Sequence, residues 1–182
     1  DKHITITLDE SIWEMALETQ ISLWPLRARK NPLAKLVIRS VYNQDKIAIK
    51  LKWKDPTADS IINNKYVDQG AIQFAVNFSD IENSPFYGMG EKGKIVNIWH
   101  WKADAHQKII KSNKSKQKSI VEVPGSLAGM FVNPFTESSV EEMNSKGIGS
   151  LTVQPLADQK VEGRGYWYNG YWNVVFIRNL HA

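Results

Sequence analysis

Residues 85–102 carry the feature of this sequence that most directly indicates chemistry: Met89 lies between Gly88 and Gly90 in a loop rich in proline and glycine. Such a methionine has few neighbouring side chains to pack against, and the glycines let the backbone approach something large and flat. A thioether presented in this way suits an axial ligand of haem iron, a role typical of electron-transfer proteins of high reduction potential. The competing interpretation is that Met89 fills the core, as methionine usually does.

A second axial ligand would be needed, and the residues alone leave its identity open. Met130, which follows Gly129, is one candidate, whereas Met143 is expected to pack inward on a short predicted helix. Lys146 is expected at the C-terminal end of that helix, where a cation ordinarily complements the helix dipole. Lysine binds iron only as the neutral amine, so the protein would have to remove a proton that lysine normally keeps at neutral pH.

Other metal and catalytic chemistries have no matching pattern in the sequence. No spacing typical of zinc or non-haem iron relates the four histidines, His3, His100, His106 and His181. His100 is expected to be a partly buried strand residue, and neither a nucleophile elbow nor a phosphate-binding loop is present. Since the chain contains no cysteine, disulfides, iron–sulfur ligation and covalent attachment of a c-type haem are excluded, and any haem would be held non-covalently.

The formal net charge of +4 is mild, but one polar segment concentrates Lys108, Lys111, Lys114, Lys116 and Lys118. A solvated loop is the expected explanation, and a docking edge for an acidic partner is the alternative. Nucleic-acid binding is set aside because no aromatic RNA-binding motif or recognition helix accompanies these lysines. No apolar run approaches the length of a membrane span.

The elements that must position Met89 are predicted to be mostly β-strands, because apolar and polar residues alternate with a period of two. Predicted strands cover 3–8, 33–42, 46–53, 71–78 and 95–103, and Asn169-Gly170 predicts a hairpin between two aromatic runs. Within 95–103 the alternation places Ile98 and His100 on one face and Trp99 and Trp101 on the other.

Helical signals are sparse. A short helix is predicted over 137–145, with Thr136 as N-cap and Gly147 ending it, and residues 105–119 are predicted to form a long loop. These signals together predict a mostly β protein: a single domain of residues 1–182, folded as an antiparallel β-sandwich with one or two short helices.

Three segments, taken in order, resemble the haem-binding gamma subunits of type II dimethyl-sulfoxide-reductase-family molybdoenzymes. Known members include ethylbenzene dehydrogenase, dimethylsulfide dehydrogenase, chlorate and selenate reductases and nitrite oxidoreductase. The matching segments are 85–90 with 96–103, then 146–152, then 165–180. The resemblance implies a β-sandwich that holds one haem b between a methionine and a lysine, which fall on Met89 and Lys146. It also implies a haem pocket that includes Gly88 and Gly90, with Lys160, one strand away, as the other possible lysine ligand.

Four further residues have two possible roles in such a pocket. Trp99 and Trp101 are expected either to line it, as their place in the matching segment implies, or to fill the core. Lys92 and Lys94 are nearest in sequence for pairing with haem propionates, although exposed loop positions are the more ordinary expectation.

The implied function is that of an electron-transfer subunit without catalytic residues of its own. Such a subunit relays electrons between an iron–sulfur beta subunit and an external cytochrome c, while the catalytic alpha subunit carries a molybdenum bis-pterin cofactor. The Lys-, Asn- and Ile-rich composition favours nitrite oxidoreductase among the possible parent enzymes. A periplasmic or equivalent extracytoplasmic location is expected, with a signal peptide already removed. The alternative function is a non-catalytic β-sandwich module that binds carbohydrate on stacked tryptophans or serves as an interaction domain.

Overall fold

A computed structural model of the chain describes residues 10–25, 28, 35–60, 66–105 and 138–181. Within these residues the elements with complete bounds are one short helix, nine strands and one 3-10 turn, and residues 103–105, at the end of a described range, are helical as well. In chain order they are α1 (Glu10–Glu14), β1 (Glu18–Ser22), β2 (Lys35–Tyr42), β3 (Lys46–Lys54), β4 (Gln69–Ala75), β5 (Val96–Lys102), β6 (Val140–Ser145), β7 (Thr152–Val153), the turn Leu156–Asp158, β8 (Val161–Tyr168) and β9 (Tyr171–Asn179).

The strands form two antiparallel sheets packed face to face. The five-stranded sheet has the order β1-β2-β3-β9-β8 and the four-stranded sheet the order β4-β5-β6-β7. Asn169 and Gly170 both have positive φ, 50° and 81°, at the turn between β8 and β9, as a tight hairpin of matching twist requires. The predicted antiparallel β-sandwich with few short helices is therefore confirmed, as is this hairpin.

The main core lies between the two sheets and is built mostly from tryptophan and branched aliphatic residues. Trp101 is fully buried, with its ring centroid 4.9 Å from that of Trp172 and 6.1 Å from that of Trp53. Gly165 makes room for it, because a Cβ at that position would lie only 2.3 Å from the Trp101 ring. The other buried members of this cluster include Ile49, Leu51, Trp99, Val140, Val174 and Phe176. The side chains on the inward face of β5 thus pack in the core, whereas those on its outward face can make other contacts.

The prediction of a helix over 137–145 is wrong, because Val140–Ser145 forms strand β6. This strand pairs with β5 on one side and with β7 on the other, and five of its six residues are buried. Tertiary pairing and burial override the weak local helix signal of its glutamates and methionine. Lys146 consequently follows a strand, and the argument that a helix dipole explains this lysine no longer applies.

Several sequence predictions lie outside the described residues. They are the strand over 3–8, the loop from residue 106 onward with its five lysines, Thr136, Met130 and His106. Within the residues that the structure does describe, no helix has the length and apolar character needed to cross a membrane.

Candidate functional site

An open cleft of about 340 Å³ lies on the outer face of the four-stranded sheet. Its volume falls at the lower end of the roughly 300–1,000 Å³ typical of sites for small molecules and cofactors. The floor follows the strand register, in which Ile98 of β5 lies between Gln73 of β4 and Met143 of β6. The lining residues are Ala71, Gln73, Tyr87, Met89, Ile98, His100, Met143 and Leu151.

Met89 stands at the wall of this cleft in a strained backbone conformation. Its φ of 73° lies in the left-handed region, which costs an ordinary residue about 1–2 kcal/mol. The Met89 N–H donates to Gln73 Oε1 at 3.1 Å, and its carbonyl accepts from the Gly147 N–H at 2.9 Å. Gln73 Nε2 also donates to the Phe86 carbonyl at 3.2 Å. Strand β4 and the loop after β6 thus hold the strained residue in place, a pattern that recurs at functional sites.

The Met89 side chain packs against Val96, Ile98 and Met143 and is only partly buried. The site therefore presents a thioether beside an apolar wall.

The two glycines beside Met89 are needed for close approaches within the protein. Gly90 has a φ of 75°, and a Cβ there would lie 2.8 Å from the Lys94 carbonyl oxygen and 3.1 Å from that of Ser145. At Gly88 a Cβ would lie 2.5 Å from the ring of Phe86. The sequence led us to expect that these glycines let the backbone approach something large and flat. At Gly88 one such neighbour is the ring of Phe86. The tight packing at Gly90 brings the Met89 loop against the end of β6.

Lys146 lies where these two loops meet. It directly precedes Gly147, the residue that binds the Met89 carbonyl, and its own N–H donates to Ser150 Oγ at 2.9 Å. Its side chain is exposed.

Lys160 is held elsewhere, because its N–H donates to Glu142 Oε2 at 2.9 Å. Glu142 pairs with Trp99 in the strand register and so belongs to the core-facing side of the sheet, opposite the cleft. The structure therefore brings Lys146, and not Lys160, next to the backbone of Met89.

The remaining predicted pocket residues lie away from the cleft. Trp99 and Trp101 are buried on the inward face of β5, so core packing is the role that the structure shows for them, and they do not line the cleft. Lys94 pairs with Glu91 at 3.1 Å in the turn that follows Gly90, and Lys92 is exposed in the same turn.

His100 is the titratable residue of the cleft floor that sequence reasoning did not assign to a site. Its side chain is 8% exposed, and its Nε2 lies 2.8 Å from Gln69 Oε1. Burial, helped by the positive charge of Lys102 and opposed by Asp104, lowers the pKa of His100 to about 4, so the ring is neutral at pH 7. The sequence did show that His100 lies on the face of β5 opposite to that of the two tryptophans. Alternation alone, however, does not tell which face of the sheet carries a cleft.

We expect His100 to make the stability of the haem-free chain depend on pH. The folded pKa of about 4 lies below the ordinary 6.5, so between these values the unfolded chain binds more protons than the folded one. The free energy of unfolding should therefore fall as the pH drops through this window, by up to about 3 kcal/mol. Urea denaturation at pH 7 and pH 4.5 measures the loss. This loss of unfolding free energy should be smaller in His100→Gln. An unchanged loss in that variant would contradict the assignment of the pH dependence to His100.

The chemistry that this cleft can support is binding rather than acid–base catalysis. Its floor and walls are mainly aliphatic and thioether groups, which suit a large apolar ligand. Across the described part of the chain, no three His, Asp or Glu side chains come together in a way that could hold a metal ion.

Comparison with known proteins gives matches over most of the chain. The model of the family described as "Ethylbenzene dehydrogenase" matches residues 10–182. A protein of Haloferax mediterranei described as a respiratory nitrate reductase heme subunit, ORF7, is 32% identical over 149 residues, 81% of this chain and 40% of that protein. The chlorate reductase subunit gamma of Ideonella dechloratans is 30% identical over 104 residues, 52% of this chain and 41% of its own length.

The dimethylsulfide dehydrogenase subunit gamma of Rhodovulum sulfidophilum is 29% identical over 110 residues, 59% of this chain and 37% of its own length. The aligned part of the chain thus spans about two fifths of the length of each of these three relatives.

Proposed function

The chain belongs to the ethylbenzene dehydrogenase family, and from this premise we propose that it is an electron-transfer subunit that holds one haem b without a covalent bond. The observation that carries the proposal is the strained Met89, fixed by hydrogen bonds at the wall of an apolar cleft. The names of the relatives support it, since one is described as a heme subunit and two as gamma subunits.

Met89 and Lys146 are the proposed axial ligands of the haem iron. The hydrogen bond from Gly147 to the Met89 carbonyl supports this pairing, because it joins the two loops that carry the ligands. The exposed lysine side chain has a four-carbon stem with which to reach the cleft. The chain offers no cysteine for covalent attachment, so packing and these two bonds would hold the group.

The haem supplies one-electron oxidation and reduction, and the chain sets the potential at which this occurs. A thioether ligand from Met89 favours ferrous iron and so raises the reduction potential. Ile98, Met143 and Leu151 surround the site with apolar atoms, which disfavour the extra charge of ferric haem and act in the same direction. The backbone hydrogen bonds of Met89 to Gln73 and Gly147 would hold its thioether in place on the haem. Together these groups favour a high-potential relay that carries out no bond chemistry.

The partners follow from the same proposal. The gamma subunit would accept electrons from, or return them to, an iron–sulfur beta subunit attached to a catalytic alpha subunit with a molybdenum bis-pterin cofactor. An external cytochrome c would be the other electron partner, in the periplasm or an equivalent compartment. Nitrite oxidoreductase is the parent enzyme that the composition favours. The gamma-subunit names of the chlorate reductase and dimethylsulfide dehydrogenase relatives support such an assembly.

The placement of the tryptophans argues against the alternative of a carbohydrate-binding module. Five of the seven tryptophans are buried, and the two others lie at opposite edges of the five-stranded sheet, since Trp24 follows β1 and Trp167 belongs to β8. A stacking platform needs neighbouring exposed rings.

We expect the haem-loaded ferrous chain to reduce ferric cytochrome c in a one-to-one reaction, because a high-potential haem exchanges single electrons without other chemistry. Stopped-flow absorption, which follows the two haems at separate wavelengths, measures the rate and the stoichiometry. The haem-free chain treated with the same reductant and desalted is the control. A haem-loaded chain that transfers no electrons to cytochrome c faster than this control would contradict the relay function.

A further inference from the structure

We propose that His100 binds a propionate carboxylate of the haem and thereby sets the rotational orientation of the porphyrin in the cleft. This inference rests on the proposed function and adds a polar contact to it. Four observations about the cleft carry the argument: the open hydrogen-bonding position of His100, the commitment of the other polar groups, the spacing along β5, and the fit between a carboxylate and this imidazole.

The Nδ1 atom of His100 is a buried polar atom without a hydrogen-bond partner among the described residues. Its side chain is more than nine-tenths buried and lines the cleft. Leaving such an atom unpaired costs about 1–3 kcal/mol, and buried polar groups in folded proteins nearly always have a partner. Because Nδ1 is itself buried, the side chains around it must shift to expose it before a ligand group that enters the cleft can supply the missing partner.

The other polar side chains of the cleft already make hydrogen bonds within the protein or lie at the rim of the cleft. Gln73 uses both ends of its amide, one on the Phe86 carbonyl and one on the Met89 N–H. Tyr87 is 83% exposed and so stands at the rim. His100 is therefore the polar lining side chain that a group entering the floor of the cleft would meet. A porphyrin is apolar apart from its iron and its two carboxylates, so the carboxylates are the groups that need such a partner.

The spacing along β5 fits this arrangement. Gln73, which binds the Met89 N–H, pairs with Ile98 in the strand register, and His100 lies two residues further along the strand. Two residues of a strand span about 7 Å, comparable with the distance from the iron of haem to a propionate carboxylate. With Met89 on the iron, an edge substituent can thus reach the row that contains His100.

The imidazole can donate to a carboxylate without a net change in charge. In the present contact Gln69 Oε1 accepts from Nε2, which leaves Nδ1 as an acceptor. Rotation of the Gln69 amide by half a turn presents its N–H₂ to Nε2, and the ring then carries its proton on Nδ1. Of the charged groups beside the ring, Glu141 pairs with His100 in the strand register and is held by Lys102 at 3.0 Å, and Asp104 is the other carboxylate.

The test compares haem b with its dimethyl ester, in which both carboxylates are blocked, on the full chain. His100→Gln keeps an amide near the position of Nε2 and its contact with Gln69, but it has no donor at the position of Nδ1. We expect this change to weaken haem b binding by about 10- to 100-fold, the loss of one charge-assisted hydrogen bond, and to leave the affinity for the ester unchanged. His100→Asn places its amide near Nδ1 and should retain most of the preference for haem b over the ester.

Quenching of tryptophan fluorescence and the Soret band both report binding, and circular dichroism checks that the two similar amide variants are folded. Equal weakening of haem b and ester binding by His100→Gln would overturn the proposal, as would loss of the preference in both variants. If the wild-type chain binds neither porphyrin, the haem function itself fails, which is a different outcome from loss of carboxylate selectivity alone.

Discussion

Met89→Leu is expected to remove the low-spin spectrum of the haem-loaded protein and to lower its reduction potential. Leucine keeps the apolar bulk of methionine but cannot bind iron, and volume-conserving exchanges of this kind cost less than about 1.5 kcal/mol of stability. Axial ligands set haem potentials over a range of about 0.8 V, and loss of a thioether should lower this one by roughly 0.1–0.3 V. Absorption spectra and a potentiometric titration of the purified variant measure both effects.

Met143→Leu is the matched control for this experiment. Met143 lines the same cleft and belongs to the same apolar cluster as Met89, but it lies in strand β6 and is 2% exposed. Its replacement should leave the low-spin spectrum in place and move the potential little. If the two variants behave alike, or if Met89→Leu keeps the wild-type spectrum, Met89 is not the thioether ligand.

Lys146→Ala is expected to convert the ferric haem from a low-spin to a high-spin spectrum, because one axial position loses its ligand. The side chain is exposed, so its removal should change the free energy of unfolding by no more than about 0.5 kcal/mol. Acidifying the wild-type protein should produce the same spectral change, since a proton competes with iron for the amine lone pair. Absorption spectra recorded against pH for both proteins measure this.

Lys160→Ala provides the comparison, because Lys160 is also exposed and its N–H contacts the core-facing Glu142. We expect the Lys160 variant to keep the low-spin spectrum over the whole pH range in which the wild type does. A reversed result, with Lys160→Ala becoming high-spin and Lys146→Ala unchanged, would transfer the ligand assignment to Lys160.

Much of the fold was predictable because its determinants are local. The alternation in β5 correctly separated the face of Trp99 and Trp101 from that of His100, and Asn169-Gly170 determined the β8–β9 hairpin through its backbone preferences. The helix prediction over 137–145 was wrong for the opposite reason. The local signals of this segment favour a helix, and residues 140–145 form a strand because they pair with β5, which is distant in sequence, and with β7.

The site was only partly predictable for a related reason. Glycines beside Met89 marked the loop, but the sequence does not show that Gly90 packs against Ser145 or that Gly147 binds the Met89 carbonyl. Both contacts depend on how β5 and β6 are paired. Together they place Lys146, and not Lys160, next to the backbone of Met89. His100 was expected to be a partly buried strand residue, but the sequence does not show that its face of the sheet carries the cleft.

The most direct test of this account is a titration of the purified chain with haem b, followed by its absorption spectrum. The account predicts saturation at one haem per chain, with an intense Soret band and the spectrum of a low-spin, six-coordinate iron in both oxidation states. Such a result is expected because an apolar cleft and two axial ligands act together on one iron. A chain that remains folded but gives no Soret band beyond that of free haem would contradict the central claim.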